Sequence, residues 1–318
     1  MNRRLGILLL VCVALSCGTR KKAAPVAPAT RDFPMAEVPV MITEPQERAT
    51  WIAQHFWDRF TQPDKLYVCD SLTVNGVPAE KLEQQVGLFA SFLQQLPLPE
   101  GQMAMDAAYS RLEAFQKAQP EGNVFQETSA LISRYFYDPN SPVRSEDLYL
   151  PFASRMATSE LVPDSEKGQY AWETKVCSLN RTGTPAADFR FVDTAGRTRT
   201  LHGIQAEWLL LIFGNPDCNA CREIVEEMGA SVAISNLIHS GRLKVVDVYI
   251  DEDIELWKQR RDNYPSAWIN GYDPTFTIRT DRIYAVRAVP SLYLLDKDKT
   301  VVLKDAPVQW ALEILETL

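Results

Sequence analysis

The stretch that most limits this chain's architecture is WLLLIF, residues 208–213. Six apolar residues without polar alternation describe a strand covered on both faces, so its sheet needs a layer above and a layer below. After four more residues come two cysteines two residues apart, Cys218 and Cys221, and then REIVEEMGASVAISNLI, which has helical period. LKVVDVYID is a second buried strand. SLYLLD and TVVLKD read as a closing pair joined by a turn at Asp296-Lys297-Asp298, and PVQWALEILETL as a final amphipathic helix starting at Pro307. Ahead of these, DFRFVDTAGRTRTL alternates in polarity and turns at Ala195-Gly196, as a hairpin does. This order of elements predicts a three-layer α/β domain over 181–318.

From 43 to 180 the period is helical instead. ERATWIAQHFWDRF places Trp51, Ile52, His55, Phe56 and Phe60 on one face. PAEKLEQQVGLFASFLQQL opens with Pro78 and repeats Leu82, Val86, Phe89 and Leu93. MAMDAAYSRLEAFQKA, VFQETSALISRYFY and EKGQYAWETKVCSL follow the same way, with breaks at Pro97, Pro99, Pro120, Pro139, Pro142 and Pro163. The fold class expected is an all-helical N-terminal domain, without internal repeat, followed by the α/β domain. His55 lies on an apolar stripe with no second ligand nearby in sequence, which reads as a core histidine rather than a metal ligand. The aromatic stripes read as core in the same way.

Residues 1–42 fit neither domain. Arg3 and Arg4 precede a run from Leu5 to Leu15 that is too short to span a bilayer, so 1–16 reads as a signal peptide. The run ends VALSCGT, which resembles the lipobox of bacterial lipoproteins, where Cys17 becomes the lipidated mature N-terminus. Ala14 stands where that motif usually has Leu, so an ordinary secretory signal with an incidental Cys17 is the other reading. Both lead out of the cytosol, to an oxidising compartment. Residues 17–42, with Pro25, Pro28, Pro34 and Pro39 and no apolar period, read as a flexible tether. Its first charges are Arg20, Lys21 and Lys22, and an acidic surface-export patch is missing, which favours the periplasmic side. An apolar share of 46% supports packed cores, and a formal charge of −8 argues against nucleic acid as a partner.

A single CxxC admits three readings. Structural zinc needs four ligands, and here no second CxxC or His pair accompanies the first; His202 and His239 are single and far apart. An inert disulfide would close a very small loop and constrain the unfolded chain little. A redox couple fits the context, because the pair follows a buried strand and opens a helix. Cys218 then sits where free N–H groups and the helix dipole favour a thiolate, and Cys221, one turn in, is its shielded resolving partner. No phosphate loop, Ser-His-Asp spacing or cofactor fingerprint stands elsewhere, so neither cofactor nor metal is expected.

IFGNPDCNAC taken with AVPSLYLLD, in which Pro290 directly precedes a strand, resembles the thioredoxin superfamily over 180–318. Within it, the chain is similar to the membrane-tethered thiol–disulfide oxidoreductases of the TlpA/ResA type, which also carry the leading hairpin. The resemblance implies a thioredoxin-like fold, exchange through Cys218 and Cys221, and a cis proline at Pro290 beside the sulfurs. It gives Val289 the role of offering backbone hydrogen bonds to an extended client. Its implied partners are client proteins with disulfides or thiols and a membrane redox donor or acceptor, with lipid at Cys17 as the anchor.

Several residues depart from that pattern. Asp217 replaces the usual Trp before the first cysteine and sets a carboxylate against the helix dipole. The family's buried acid would fall near Leu211 or Ile212, both apolar; another acid, such as Glu207, would then serve the proton transfer, though nothing in the sequence places it beside the cysteines. Asn219-Ala220 matches neither the thioredoxin nor the strongly oxidising dipeptide, so the direction of electron flow stays open. Asn215 stands where peroxiredoxins place Thr, which argues against that branch. Through HFWDRF and its layout, the helical half is similar to a domain of unknown function found ahead of thioredoxin-like domains in lipoproteins of anaerobic gut-type bacteria. Cys69 and Cys177 either pair or remain buried free thiols. The function expected is a periplasm-facing, membrane-anchored thiol–disulfide oxidoreductase. The rival is a non-catalytic binding lipoprotein whose helical domain captures a partner on a thioredoxin-fold scaffold.

Overall fold

The computed structural model describes residues 29–62 and 67–318, so Cys17 and the signal segment lie outside the described residues. The N-terminal half runs α1 (Pro45–His55), a short hairpin of β1 (Thr73–Val74) and β2 (Val77–Pro78), α2 (Ala79–Gln94), α3 (Leu98–Ala118), α4 (Val124–Tyr137), α5 (Glu146–Met156) and α6 (Asp164–Cys177). Leu82, Val86, Phe89 and Leu93 of α2 are fully buried, as their spacing predicts. Pro78, Pro97 and Pro163 stand at the N-caps of α2, α3 and α6, where a missing N–H costs nothing.

Four features differ from the sequence expectation of an all-helical domain with His55 in its core. Helix α1 stops at His55, and Phe56, Trp57 and Phe60 are buried by the turns beyond it, packed on Phe33 and Phe89. His55 is not a core residue: its side chain is one-third exposed, stacks on Trp51 at 4.3 Å and bonds Asp58 at 2.6 Å. Helix α5 was hidden from the helical period by Pro151 within it; Ser145 caps it by accepting the Leu148 N–H at 3.3 Å. The hairpin turns on Asn75 and Gly76, both with positive φ, and a Cβ at Gly76 would strike Tyr67 at 2.7 Å.

The C-terminal half runs β3 (Arg190–Asp193), β4 (Thr198–Thr200), β5 (Trp208–Gly214), α7 (Asn219–Ala230), α8 (Val232–His239), β6 (Leu243–Tyr249), α9 (Ile254–Arg260), β7 (Ile269–Tyr272), α10 (Thr277–Thr280), β8 (Ser291–Asp296), β9 (Val301–Leu303) and α11 (Val308–Glu316). The sheet order is β4-β3-β7-β6-β5-β8-β9, with β5, β6 and β7 parallel and the remaining pairs antiparallel. WLLLIF is the central strand, and its residues divide between two cores by parity. Leu210 and Ile212 face α7, α8 and α11, while Leu209, Leu211 and Phe213 face α10, Phe189 and Tyr284.

The two halves meet through buried charge. Glu146, at the start of α5, bonds Arg287 at 2.9 Å and Lys304 at 2.8 Å. Asp305 accepts from Arg287 at 3.0 Å and from the Ser291 hydroxyl at 2.7 Å. Lys304 also donates to the Cys177 carbonyl at 2.7 Å, and Ala285 packs into the helical core. Among the described residues no helix is long and apolar enough to cross a membrane.

Candidate active site

Strand β5 ends at Gly214, and Asn215 shapes the turn into α7. The Asn215 carbonyl accepts from the Cys218 N–H at 3.0 Å, its Oδ1 from the Asp217 N–H at 2.9 Å, and its Nδ2 donates to Asp251 at 2.8 Å. Cys218 thereby becomes the N-cap of α7, and its Sγ accepts the Cys221 N–H at 3.2 Å. The Cys218 thiol donates to the Val289 carbonyl at 3.6 Å, and the Val289–Pro290 peptide bond is cis. The structure thus brings Cys218, Cys221, Val289 and Pro290 to one place, at the C-terminal end of the central strand. Both cysteines are free thiols, Cys218 half-buried and Cys221 8% exposed. Burial first, then the neighbouring Cys218, pushes the Cys221 thiol up.

Glu207 does not stand near the cysteines. Glu207 lies one residue before β5, at the end opposite the cysteines, and its carboxylate is spent on Arg242 at 2.7 and 2.9 Å. Seven residues of strand separate the two ends, about 20 Å. The buried acid is Asp247, which β5–β6 pairing sets beside Ile212, on the sheet face covered by α7. Burial pushes its carboxyl up to about 8, and the nearby Tyr264 hydroxyl opposes that shift. Its charge acts on Cys221, and a Cβ at Gly214 would stand 2.6 Å from Asp247 Oδ2, so glycine leaves the room the carboxyl occupies. A cleft of about 200 Å³ lined by Asn215, Pro216, Cys221, Arg222 and Tyr264 opens this corner to solvent. A charged residue inside LKVVDVYID was the sequence signal for Asp247, but strand register was needed to place it under Cys221.

Asp217 faces Arg260 of α9 at 3.5 Å, with both side chains about half exposed. Cys69 is exposed, Cys177 is buried, and neither is bonded. Among the described residues no three His, Cys, Asp or Glu side chains stand together as metal ligands would.

Comparison with known proteins defines the class. DUF5106, a domain of unknown function, matches residues 15–180. The crystal structure of a thioredoxin-like protein from Bacteroides caccae is 33% identical, covers 91% of this chain and 99% of its own, and has a TM-score of 0.77. The C-terminal domain of an uncharacterized Bacteroides fragilis protein is 42% identical over 43% of this chain and 97% of its own, with a TM-score of 0.42. The thioredoxin domain of a thiol-disulfide oxidoreductase from Bacteroides vulgatus is 19% identical over 43% of this chain and 96% of its own, with a TM-score of 0.39. No curated protein matches the chain. The chain belongs to the DUF5106 family, and here that domain precedes a thioredoxin-like one.

Proposed function

We propose that this protein is a thiol–disulfide oxidoreductase acting on client proteins, held at the periplasmic face of a membrane by lipid on Cys17. The observation that carries this reading is the setting of Cys218, whose sulfur sits at a helix N-cap between the Cys221 N–H and the Val289 carbonyl. In the reductive direction the Cys218 thiolate attacks a client disulfide; one client sulfur bonds to Cys218 and the other leaves as a thiol. Ionised Asp247 then takes the Cys221 proton, and the Cys221 thiolate attacks Cys218 Sγ. The second client thiol leaves, the client has gained two electrons, and Cys218–Cys221 is a disulfide. A membrane redox donor returns the dithiol. The same steps run backwards oxidise a client dithiol. Val289 and Pro290 border the place where the client strand would lie.

The test is trapping. Cys221→Ser should accumulate client mixed disulfides on Cys218, and Cys218→Ser should accumulate none. Equal trapping by both variants overturns the assignment. Failure of the parent to turn over any disulfide leaves the rival standing, a binding lipoprotein on a thioredoxin-like scaffold.

A further inference from the structure

A cleft of about 290 Å³ lies between the helical half and the loop that leads to Pro290. Tyr137 of α4 and Trp172 and Val176 of α6 form one wall; Arg279, Arg282 and Arg287 stand on the other, and no acidic residue lines it. Two of these arginines already have partners. Arg287 bonds Glu146 at 2.9 Å and Asp305 at 3.0 Å, and Arg279 bonds Asp251 at 2.7 Å. Arg282 is exposed and has no carboxylate partner among the described residues; its guanidinium lies over the exposed Trp172 ring at 4.4 Å. The cleft therefore offers a cation pre-set on an aromatic face, beside apolar surface.

Its position ties it to the cysteines. Val286 lines the cleft and stands three residues before Val289, whose carbonyl accepts from the Cys218 thiol at 3.6 Å. Three residues span at most about 11 Å, so a short extended peptide reaches from one to the other. We propose that this cleft docks the client segment flanking the reacting cysteine and selects a segment with an acidic side chain a few residues away. The inference rests on the oxidoreductase reading and names its client class. The carboxylate pairs with Arg282, and neighbouring apolar side chains pack on Trp172 and Tyr137. The occupant is a polypeptide because Val286 of the cleft stands three residues before Val289, whose carbonyl borders the reacting sulfur.

The experiment compares short peptide disulfides that differ only in Glu, Gln or Lys a few residues from the cysteine. The expected result is a kcat/KM up to about fivefold higher for the Glu peptide than for the Gln peptide at low salt, the upper end for an exposed ion pair, shrinking as salt screens it. Within each variant the peptide ratio is the readout, which cancels changes in folded fraction. Arg282→Lys should keep the preference, Arg282→Gln abolish it, and Arg282→Glu turn it toward the Lys peptide. Equal rates for all three peptides with the parent, or an unchanged preference in Arg282→Gln, overturns the proposal. If no peptide and no small disulfide such as hydroxyethyl disulfide is turned over, the oxidoreductase reading fails instead. Binding of fluorescent Glu and Gln peptides by anisotropy then decides the cleft. A parallel arm uses phosphatidylglycerol vesicles: if Arg282→Gln weakens vesicle binding and leaves peptide preference intact, the cleft serves lipid and the proposal is wrong.

Discussion

Asp247 gives the protein a pH signature of its own. Its folded carboxyl titrates near 8 because it is entirely buried, while an unfolded Asp titrates near 3.9. Between those values the native state holds a proton that the unfolded state has lost. Stability therefore falls as pH rises from about 4 to about 8 and is level above that. Asp247→Asn removes the titration, so the variant should be more stable than the parent at pH 7, on the order of 1–4 kcal/mol, with the gap closing near pH 4. Urea unfolding at a series of pH values reads this; a gap that does not widen with pH would refute it. The same substitution should slow resolution. In the parent, decay of the mixed disulfide should quicken with pH through an inflection near 8 and level off above it, as the ionised fraction of Asp247 grows. In Asp247→Asn it should be slower, with no inflection there.

Among the elements, the β3–β4 hairpin and helix α5 are held by polar groups with separable effects. Asp193 accepts the Ala195 and Arg197 N–H groups and the guanidinium groups of Arg197 and Arg199, at 2.7–3.0 Å. Burial raises its carboxyl, but these bonds outweigh burial and hold it at about 2. Because the folded value lies below the unfolded one, this contribution is complete above about pH 4 and is lost as pH falls through about 2. Asp193→Asn should cost on the order of 1–2 kcal/mol at pH 7 and nothing at the acid end, which chemical denaturation at both pH values tests. Ser145→Ala removes the cap of α5 and should cost about 1 kcal/mol, with no pH dependence.

At the scale of the whole molecule, the buried charges between the halves decide how firmly the helical half holds the loop before Pro290. Glu146 neutralises both Arg287 and Lys304, and Glu146 and Lys304 are almost wholly buried. Glu146→Ala leaves two cations without their shared partner and should cost about 3–5 kcal/mol, seen as a lowered denaturation midpoint. Glu146→Gln keeps the shape and should cost less. A separate prediction concerns the membrane anchor proposed at Cys17. The parent should stay in the membrane fraction after a salt wash, since salt screens charge but does not weaken acyl burial. Cys17→Ser should release soluble protein or leave an uncleaved precursor. A Cys17→Ser chain that is both processed and membrane-bound would place the anchor elsewhere.

What was legible in the sequence is what neighbouring residues decide among themselves. The unbroken apolar run of β5, the spacing along α2 and the two cysteines at a strand-to-helix junction are local patterns, and each fixes its own environment. The Val74-Asn75-Gly76-Val77 turn was equally local and went unread. Non-local partners were beyond that reach. Asp247 is one more residue in a buried strand until β5–β6 register places it beside Ile212, under Cys221. Glu146 and Arg287 lie 141 residues apart and pair only because helical half and sheet dock. Arg282 and Trp172 face each other only across that same seam. Period and composition specify which face of an element is apolar, but register and docking choose which polar groups meet. Those choices follow from the packing of whole layers.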